Sequence, residues 1–373
     1  MKNSLLIIAV LIIVCSCIKE PGIEKPLRFG ISKGVYDNKI ELRWETSESP
    51  MSIEIYRAKT KSGEFELLGT TDNNFYEDST EIVAQRTYYY KIRVYNSKDE
   101  LSYFCKVDSG YVSEKYQLVK TFGDLNSPYS IDFDSKNNIY VSDAEVGTVK
   151  KFDQAGNFIV DLIHLPGTII RGIKVLDTDE IVVAESNKGM VALFNQKGVL
   201  LSERTVAQTT MLREIAVDDK SAIYVVDMEN KYIVKLDSIK YPVKRDTITT
   251  KWQPTHLLGS FNHPNGLAYC DTSMVVGGSD GDGFVEFFSR KGKFIRGFEL
   301  NDPIMYIAKD KDSNLYFASF DRVIKTDLRG KVLATIGLGY FVSAMTVNVN
   351  SAGDVFIVDE KKSKIVSVFR KMD

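Results

Sequence analysis

Acidic side chains recur at regular intervals in the C-terminal two-thirds of this 373-residue chain. Each ends a short run of β-branched and aromatic residues, as Asp143 ends Ile-Tyr-Val-Ser-Asp and Asp227 ends Ile-Tyr-Val-Val-Asp. Such a carboxylate could belong to a polar ligand site, or it could accept backbone N–H groups in the turn that follows the strand. Recurrence in most copies favours the structural role.

Side chains suited to metal or nucleophilic chemistry are few. The three histidines, His164, His256 and His263, all fall in or near predicted connections. The run 310–314 has the alternating acids of a calcium loop, but Leu315 stands where such a loop requires glycine, so a turn between two strands is predicted. The sequence contains no phosphate-binding glycine loop and no nucleophile elbow. We therefore expect no metal and no other cofactor.

The composition sets the fold class and excludes one class of partner. The chain is 44% hydrophobic and 26% charged, its net charge is −2, and it carries no long basic run. A nucleic-acid partner is not expected, because binding to phosphates requires a concentrated positive patch. Runs of about four to eight residues rich in Val, Ile, Tyr, Phe and Thr, separated by Gly, Asp, Asn and Ser, predict an all-β protein.

The N-terminus has the features of an export signal. Lys2 precedes an apolar run of ten residues, 5–14, which is shorter than the roughly 20 residues of a membrane-spanning helix and fits a secretory signal peptide. The following residues 14–17, Val-Cys-Ser-Cys, resemble the lipobox of bacterial lipoproteins, with Cys17 as the modified residue. Cys15 fits less well because Val14 precedes it, where the lipobox has a small residue. An ordinary cleaved signal or a buried apolar tail is the alternative.

The lipobox resemblance implies several acyl chains on Cys17, which together anchor a protein stably in a membrane. Ile18 follows, so no aspartate is present to indicate retention in the inner membrane. We expect an exported protein in the cell envelope, anchored to the outer membrane and either periplasmic or surface-exposed. The remaining cysteines, Cys105 and Cys270, fall in different predicted domains, so we expect them to be buried and unbridged.

A small sandwich is predicted after the signal and a short spacer. About seven strand-like runs lie within roughly 90 residues, which suggests an immunoglobulin-like sandwich. Trp44 ends the alternating run 40–44, and the run 88–94 alternates so that Tyr88, Tyr90, Ile92 and Val94 face one side. These features resemble a fibronectin type III domain. No catalytic set is apparent in it, and a spacer or docking role is predicted.

From residue 115 onward the sequence repeats six times. Aligned segments begin at Ile139, Ile181, Ile223, Met274, Leu315 and Val355, so by subtraction they lie 42, 42, 51, 41 and 40 residues apart. A period near 40 residues with about four strands per copy predicts a β-propeller. The one longer interval is interpreted as an insertion, 238–256, between the third and fourth strands of the third copy.

The order of elements and the pattern P-x-x-I…D…N-x-I-Y-V-x-D resemble NHL repeats. Two departures are visible, since the glycine before the first-strand isoleucine is kept only in the second and fourth copies, and the terminal acid is lost in the fourth and fifth. The last copy stops after its third strand. We expect Gln117–Phe122 to supply the missing fourth strand, because pairing the two ends removes an exposed sheet edge.

The predicted fold is therefore all-β, with a fibronectin type III-like sandwich followed by a six-bladed β-propeller that an N-terminal strand closes. The predicted segments are a signal peptide at 1–16, a spacer with lipidated Cys17 at 17–25, the sandwich at 26–113 and the propeller at 115–373.

The NHL resemblance implies one ligand-binding face around the channel. The residues that it places just before the first strands are Tyr129, Arg171, Arg213, Asn265, Met305 and Met345. Those that it places after the second strands are Asp143, Glu185, Asp227, Asp280, Ser319 and Asp359. Two arginines among these carboxylates make a mixed rim, which could bind a zwitterionic or peptide-like ligand.

An enzymatic hypothesis comes from a second resemblance. Residues 264–268, Pro-Asn-Gly-Leu-Ala, look like a motif of gluconolactonase-like propeller hydrolases, in which the Asn, here Asn265, coordinates a divalent cation. The Glu that this family has in its first blade is missing, since Ser127-Pro128-Tyr129 stands there. We favour a non-enzymatic binding or scaffolding lipoprotein that recognises a protein, peptide or glycan. A metal-dependent hydrolase or lyase, and a purely structural envelope component, are the alternatives.

Overall fold

A computed structural model describes residues 24–47, 52–95, 101–206, 211–236, 246–248, 264–278, 283–359 and 364–372. The signal peptide and Cys17 lie outside these ranges. The described residues are all-β apart from one short 3-10 helix, Ser186–Lys188. None of the helices in these ranges has the length and hydropathy needed to span a membrane. Contacts divide the chain into two compact units, of which the second begins at Tyr111 and also takes in Lys33–Asn38 and Glu81–Arg86.

The first unit contains two antiparallel sheets, with strand orders β1-β2-β5 and β4-β3-β6-β7. Its strands are β1 (Leu27–Ile31), β2 (Ile40–Glu45), β3 (Ser52–Ala58), β4 (Glu66–Thr71), β5 (Phe75–Asp78), β6 (Tyr88–Tyr95) and β7 (Asp108–Gly110). Strand β6 alternates as predicted, because Tyr88, Tyr90, Ile92 and Val94 are buried and the residues between them are half-buried. Trp44 is also buried.

The second unit contains six four-stranded antiparallel sheets within the described residues, named I to VI in chain order. Sheet I contains β9 (Pro128–Phe133), β10 (Ile139–Asp143), β11 (Thr148–Phe152) and β12 (Phe158–His164), and sheet II contains β13 (Ile170–Val175), β14 (Ile181–Glu185), β15 (Met190–Phe194) and β16 (Leu200–Thr205). Sheet III contains β17 (Leu212–Val217), β18 (Ile223–Asp227), β19 (Tyr232–Leu236) and β20 (Asp246–Ile248), and sheet IV contains β21 (Pro264–Cys270), β22 (Ser273–Gly278), β23 (Phe284–Ser289) and β24 (Phe294–Glu299). Sheet V contains β25 (Tyr306–Lys309), β26 (Leu315–Ala318), β27 (Val323–Thr326) and β28 (Val332–Ile336), and sheet VI contains β29 (Ala344–Val349), β30 (Val355–Asp359), β31 (Val366–Lys371) and β8 (Tyr116–Phe122).

The first strand of each sheet is its inner strand. Each inner strand contacts the inner strands of the two neighbouring sheets, and β29 contacts β9, so the inner strands form a closed cycle around a central channel. The buried apolar clusters lie between successive sheets, for example between sheets I and II around Val149 and Ile173. The unit is therefore a propeller-type all-β fold.

The predicted closing strand is confirmed. Strand β8 pairs antiparallel with β31, with Val366 opposite Phe122 and Val368 opposite Lys120. The outer strand of the last sheet thus comes from a segment that precedes the first sheet in the chain. This pairing joins the two ends of the cycle.

The insertion prediction is wrong in one part. Residues 246–248 were assigned to the inserted segment, but they form β20 and pair with β19, with Ile248 opposite Ile233. The short run Asp-Thr-Ile, in which Thr and Ile favour β-structure, is enough to occupy the fourth position of sheet III. The remainder of the insertion, including Trp252, lies outside the described residues. Cys105 and Cys270 are buried and unbridged, as predicted.

The turn between first and second strands explains part of the repeat. In sheet I, Oδ1 of Asp134 accepts the N–H groups of Lys136 and Asn138, while Oδ2 accepts from the Asn138 amide and the Tyr140 hydroxyl. Asp310 makes the same set of bonds in sheet V. The D…N-x-Y part of the pattern is therefore a side-chain-stabilised turn, and the prediction that 310–314 is a turn is confirmed.

Two glycines of the inner strands explain where the repeat keeps that residue. A Cβ on Gly172 would lie 2.1 Å from the carbonyl oxygen of Arg213 on the next inner strand. A Cβ on Gly266 would lie 2.5 Å from Cγ1 of Ile307 and 3.1 Å from its backbone nitrogen. At both positions the neighbouring strand occupies the space that a side chain would need.

We expect Gly172→Ala to destabilise the second unit by about 1–3 kcal/mol, because the backbone of β17 must move to admit the methyl group. Urea unfolding followed by circular dichroism measures the change. Gly30→Ala in β1 is the control, since no atom lies within 4 Å of its added Cβ. Equal stability of Gly172→Ala and the wild type would show that the inner strands separate easily.

Candidate functional site

Six residues at the start of the inner strands form what we call the mouth ring. Its members are Tyr129, Arg171, Arg213, Asn265, Met305 and Met345. The second strands end at the same end of the channel, since Asp143 pairs with Pro128 across β10 and β9. The structure therefore places the described members of the two sets, which the NHL resemblance assigned to one face, at the same end of the channel.

Tyr129 is the centre of the mouth ring. Its ring is buried and packs in one cluster with Met345, Met305 and Ile169. The guanidinium carbons of Arg171 and Arg213 lie 5.7 Å and 5.8 Å from the centre of its ring. Arg213 also donates a hydrogen bond from Nη1 to the Tyr129 hydroxyl. Two cationic groups are thus held against one aromatic ring.

These two arginines have no carboxylate partner in the described part of the chain. Within it, neither Arg171 nor Arg213 forms an ion pair with a carboxylate, and Arg171 donates to the Ser186 hydroxyl at 3.4 Å. The Nε of Arg213 is buried and has no hydrogen-bond partner among the described residues. A buried donor without a partner costs free energy, so this atom favours a ligand that can accept a hydrogen bond.

Asn265 carries a buried hydrogen-bond acceptor, which is complementary to the buried donor of Arg213. Its side chain is 3% exposed, and its Nδ2 donates to the carbonyl oxygen of Ile304 at 3.4 Å. Its Oδ1 is buried and has no hydrogen-bond partner in the described residues. Among the described residues, the mouth ring therefore holds an acceptor without a partner on sheet IV and a donor without a partner on the neighbouring sheet III.

The acids that follow the second strands are engaged in the fold. Asp143 accepts the N–H groups of Asn126 and Ser127, and Asp359 accepts that of Val342. Asp227 accepts both the backbone and the side-chain amide of Asn230. All are buried, and their bonds are those expected of turn-stabilising carboxylates.

Of the two remaining acids of that set, only Glu185 lies in the described residues, and its partner is a side chain. Glu185 is buried and forms an ion pair with Lys188 at 3.1 Å. Asp280 lies outside the described residues. The polar side chains of the mouth ring are thus the two arginines, the tyrosine and the asparagine. The recurrent acids mainly accept hydrogen bonds from backbone N–H groups.

A polar layer one residue deeper was missed by sequence reasoning. It comprises Ser130, Glu214, Tyr306 and Thr346, with Gly172 and Gly266 at the equivalent positions of sheets II and IV. The Ser130 and Tyr306 hydroxyls lie 3.1 Å apart across the channel. Oε2 of Glu214 accepts the N–H of Leu267 at 2.6 Å and that of Ile307 at 3.4 Å.

The Glu214 carboxyl is the most strongly perturbed group of this layer. Burial raises its pKa well above the ordinary range of a glutamate, although the N–H groups of Leu267 and Ile307 favour the carboxylate. Burial and the nearby Glu214 also raise the pKa of Tyr306. One feature of the sequence could have indicated this layer: Glu214 begins the run Glu-Ile-Ala-Val of an inner strand, and the other three residues are apolar.

The described residues do not assemble a metal centre. Among them, no group of three or more His, Cys, Asp and Glu side chains is placed to hold a metal ion. His164 lies at the end of an outer strand, where its Nδ1 is 3.1 Å from the Thr148 hydroxyl. His256 and His263 lie outside the described residues. Asn265 stands near the axis beside arginines, which are not metal ligands.

Comparison with known proteins identifies the fold. No protein-family model matches the chain, and no curated protein matches it. Among solved structures, a gluconolactonase of Xanthomonas campestris superposes with a TM-score of 0.54 at 15% identity, over 67% of this chain and 87% of that one. A streptogramin B lyase superposes with a TM-score of 0.51 at 12% identity, over 87% of this chain and all of the other, 100%.

A third similar structure is a catalytically inactive variant of virginiamycin B lyase from Staphylococcus aureus with quinupristin. It has a TM-score of 0.50 at 11% identity and covers 78% of this chain and 93% of its own. Likeness at this level of identity shows the fold, which is a propeller-type all-β fold. Fold alone does not establish an activity.

Proposed function

We propose that this chain is an exported lipoprotein of the cell envelope that binds a ligand at the mouth ring of a six-bladed, NHL-like β-propeller. In this proposal, the sheets I to VI are the six blades, and β8 is the closing strand. The first unit is a fibronectin type III-like spacer, consistent with its two sheets of three and four strands. The lipid on Cys17 ties the chain to the outer membrane.

The observation that carries the binding proposal is the pair of arginines on Tyr129. Two guanidinium groups share one aromatic ring, and neither forms an ion pair with a carboxylate of the described residues. Guanidinium groups bind carboxylates and phosphates through parallel N–H···O bonds. An anionic group on the ligand would therefore complete this end of the channel.

The two buried atoms without hydrogen-bond partners among the described residues indicate which groups the ligand carries. Nε of Arg213 requires an acceptor and Oδ1 of Asn265 requires a donor. A carboxylate that carries an N–H or O–H group one or two bonds away would satisfy both. Peptide C-termini and acidic sugars have this arrangement, so we propose that the ligand is a peptide or a glycan with a carboxylate.

We expect the full-length chain in detergent to be stabilised against heat by some members of a panel of N-acetyl amino acids and uronic acids, and not by their uncharged amides. Arg171→Gln should weaken the binding of a stabilising carboxylate by about 10- to 100-fold, because it removes hydrogen bonds to a charged group. Isothermal titration calorimetry with that carboxylate measures the change.

Arg204→Gln is the matched control, since Arg204 lies on the outer strand β16 of the same sheet and donates to the backbone oxygen of Glu203. It should bind the carboxylate as the wild type does. If no carboxylate stabilises the chain, the binding proposal fails, and a purely structural envelope component becomes the better interpretation.

The comparisons favour an enzymatic alternative, because similar solved structures include a gluconolactonase and streptogramin-type lyases. The observation that favours this alternative is that the buried Oδ1 of Asn265 has no hydrogen-bond partner among the described residues. Elemental analysis of the purified chain tests it. A stoichiometric divalent metal that is lost in Asn265→Ala, but kept in the Asn301→Ala control in the connection after β24, would replace the binding proposal with a metal-dependent hydrolase or lyase. We expect no such metal.

The lipid anchor has its own test. Cys17→Ser should abolish incorporation of labelled fatty acid and move the protein from the membrane fraction to the soluble fraction, because the anchor requires a thioether on that residue. Cys15→Ser is the matched control and should stay anchored. Unchanged labelling of Cys17→Ser would disprove the anchor.

A further inference from the structure

The channel opens at its other end into a cavity that the mouth ring does not share. The cavity has a volume of about 860 Å³, and the carboxyl-terminal parts of the inner strands of all six sheets line it. This volume lies in the range of about 300–1,000 Å³ that is usual for small-molecule sites. The polar layer of Ser130, Glu214 and Tyr306 separates it from the mouth ring.

Negative charge dominates the wall of this cavity. Among the described residues, eight carboxyl side chains and two amines line it. One of the amines, Lys174, is already paired with Asp132 at 2.9 Å, and Asn348 donates to the other oxygen of the same carboxylate. The exposed rim carries Asp177 and Asp219. Two cations outside the lining reduce the negative charge, since Arg290 is paired with Asp219 and Lys151 with Asp134, which leaves the carboxyl groups in excess. A cationic ligand therefore matches the cavity in charge.

The floor of the cavity holds a carboxyl group that a cation would stabilise. Glu214 is 3% exposed, yet it lines the cavity together with Tyr306. The charged and titratable groups that act on it are Lys174 on β13 and Tyr306 on β25, and Tyr306 is in turn influenced by Asp132 on β9. Since burial raises the pKa of Glu214, a positive charge placed beside it would favour loss of its proton.

The spacing of the carboxylates indicates the shape of the ligand. Within the described chain, no three of the acids converge closely enough to hold a metal ion. They are spread from the floor to the rim, and the aromatic rings of Tyr269, Tyr306 and Phe133 lie among them. Separated carboxylates with aromatic surfaces fit several ammonium groups on one chain better than a single ion.

We propose that this cavity is a second binding site, specific for an elongated ligand with several ammonium groups, with Glu214 at its floor and Asp177 at its rim. The site is independent of the mouth ring, because the two lie at opposite ends of the channel. Spermidine is a suitable probe, since it is linear and carries three ammonium groups at neutral pH.

The test is calorimetric titration of the full-length chain in detergent with spermidine, in two buffers that differ in ionisation enthalpy, at several pH values from about 5 to about 8. We expect saturable binding with release of protons, because the bound ammonium group favours the ionised form of Glu214. Affinity should rise with pH as Glu214 loses its proton. Glu214→Gln should abolish the proton release and weaken binding by about tenfold or more.

Glu286→Gln is the matched control. Burial raises the pKa of Glu286 to about 7, but Glu286 does not line the cavity, so this variant should bind spermidine and release protons through Glu214 as the wild type does. Arg171→Gln at the mouth ring should also leave spermidine binding unchanged. This result separates the second site from the proposed function.

A second variant keeps the test decisive if Glu214→Gln does not fold. Asp177 is exposed, so Asp177→Asn should fold normally and weaken the binding of spermidine by about twofold to fivefold. The proposal is overturned if the wild type does not bind spermidine. It is also overturned if the folded variants of Glu214 or Asp177 bind spermidine as tightly as the wild type.

Discussion

The second unit depends on how its inner strands satisfy their backbone groups at the axis. An inner strand pairs with its own second strand on one side only, so the N–H groups that face the next sheet need other acceptors. Side chains provide them, because Ser130, Asp132 and Glu214 accept the N–H groups of Ile173, Val175 and Leu267 on the neighbouring inner strands. Sheets that share no ladder are joined in this way.

The same requirement makes the channel polar. The residues that join the sheets must carry oxygen atoms, and they point into a space that the glycines at 172 and 266 keep narrow. The alternate positions of the same strands are apolar and pack between sheets, as Ile173 and Val175 of β13 do. Period-2 alternation thus divides each inner strand into a core side and a channel side. One end of the channel gathers arginines, and the other gathers carboxylates.

Much of the fold could be predicted from the sequence, because its signals are local and repeated. The turn at Asp134 needs only the residues within it, so its pattern repeats wherever the turn does. The alternation of β6 and the closing pair of β8 with β31 follow from strand periodicity and from counting strands. The short strand β20 was missed, since three residues carry little periodicity and the expected period was interrupted there.

The candidate site also has one part that could be predicted from the sequence and one part that could not. The sequence by itself determined which residues stand at the start of each inner strand, including Tyr129, Arg171 and Arg213, because the repeat fixes equivalent positions. Only the tertiary structure decided that Oδ1 of Asn265 has no hydrogen-bond partner among the described residues. It also decided that both arginines meet on the Tyr129 ring and that Glu214 reaches two other sheets. These contacts join residues from about 40 to more than 90 positions apart, and such distances are set by closure of the cycle of sheets, which no local pattern encodes.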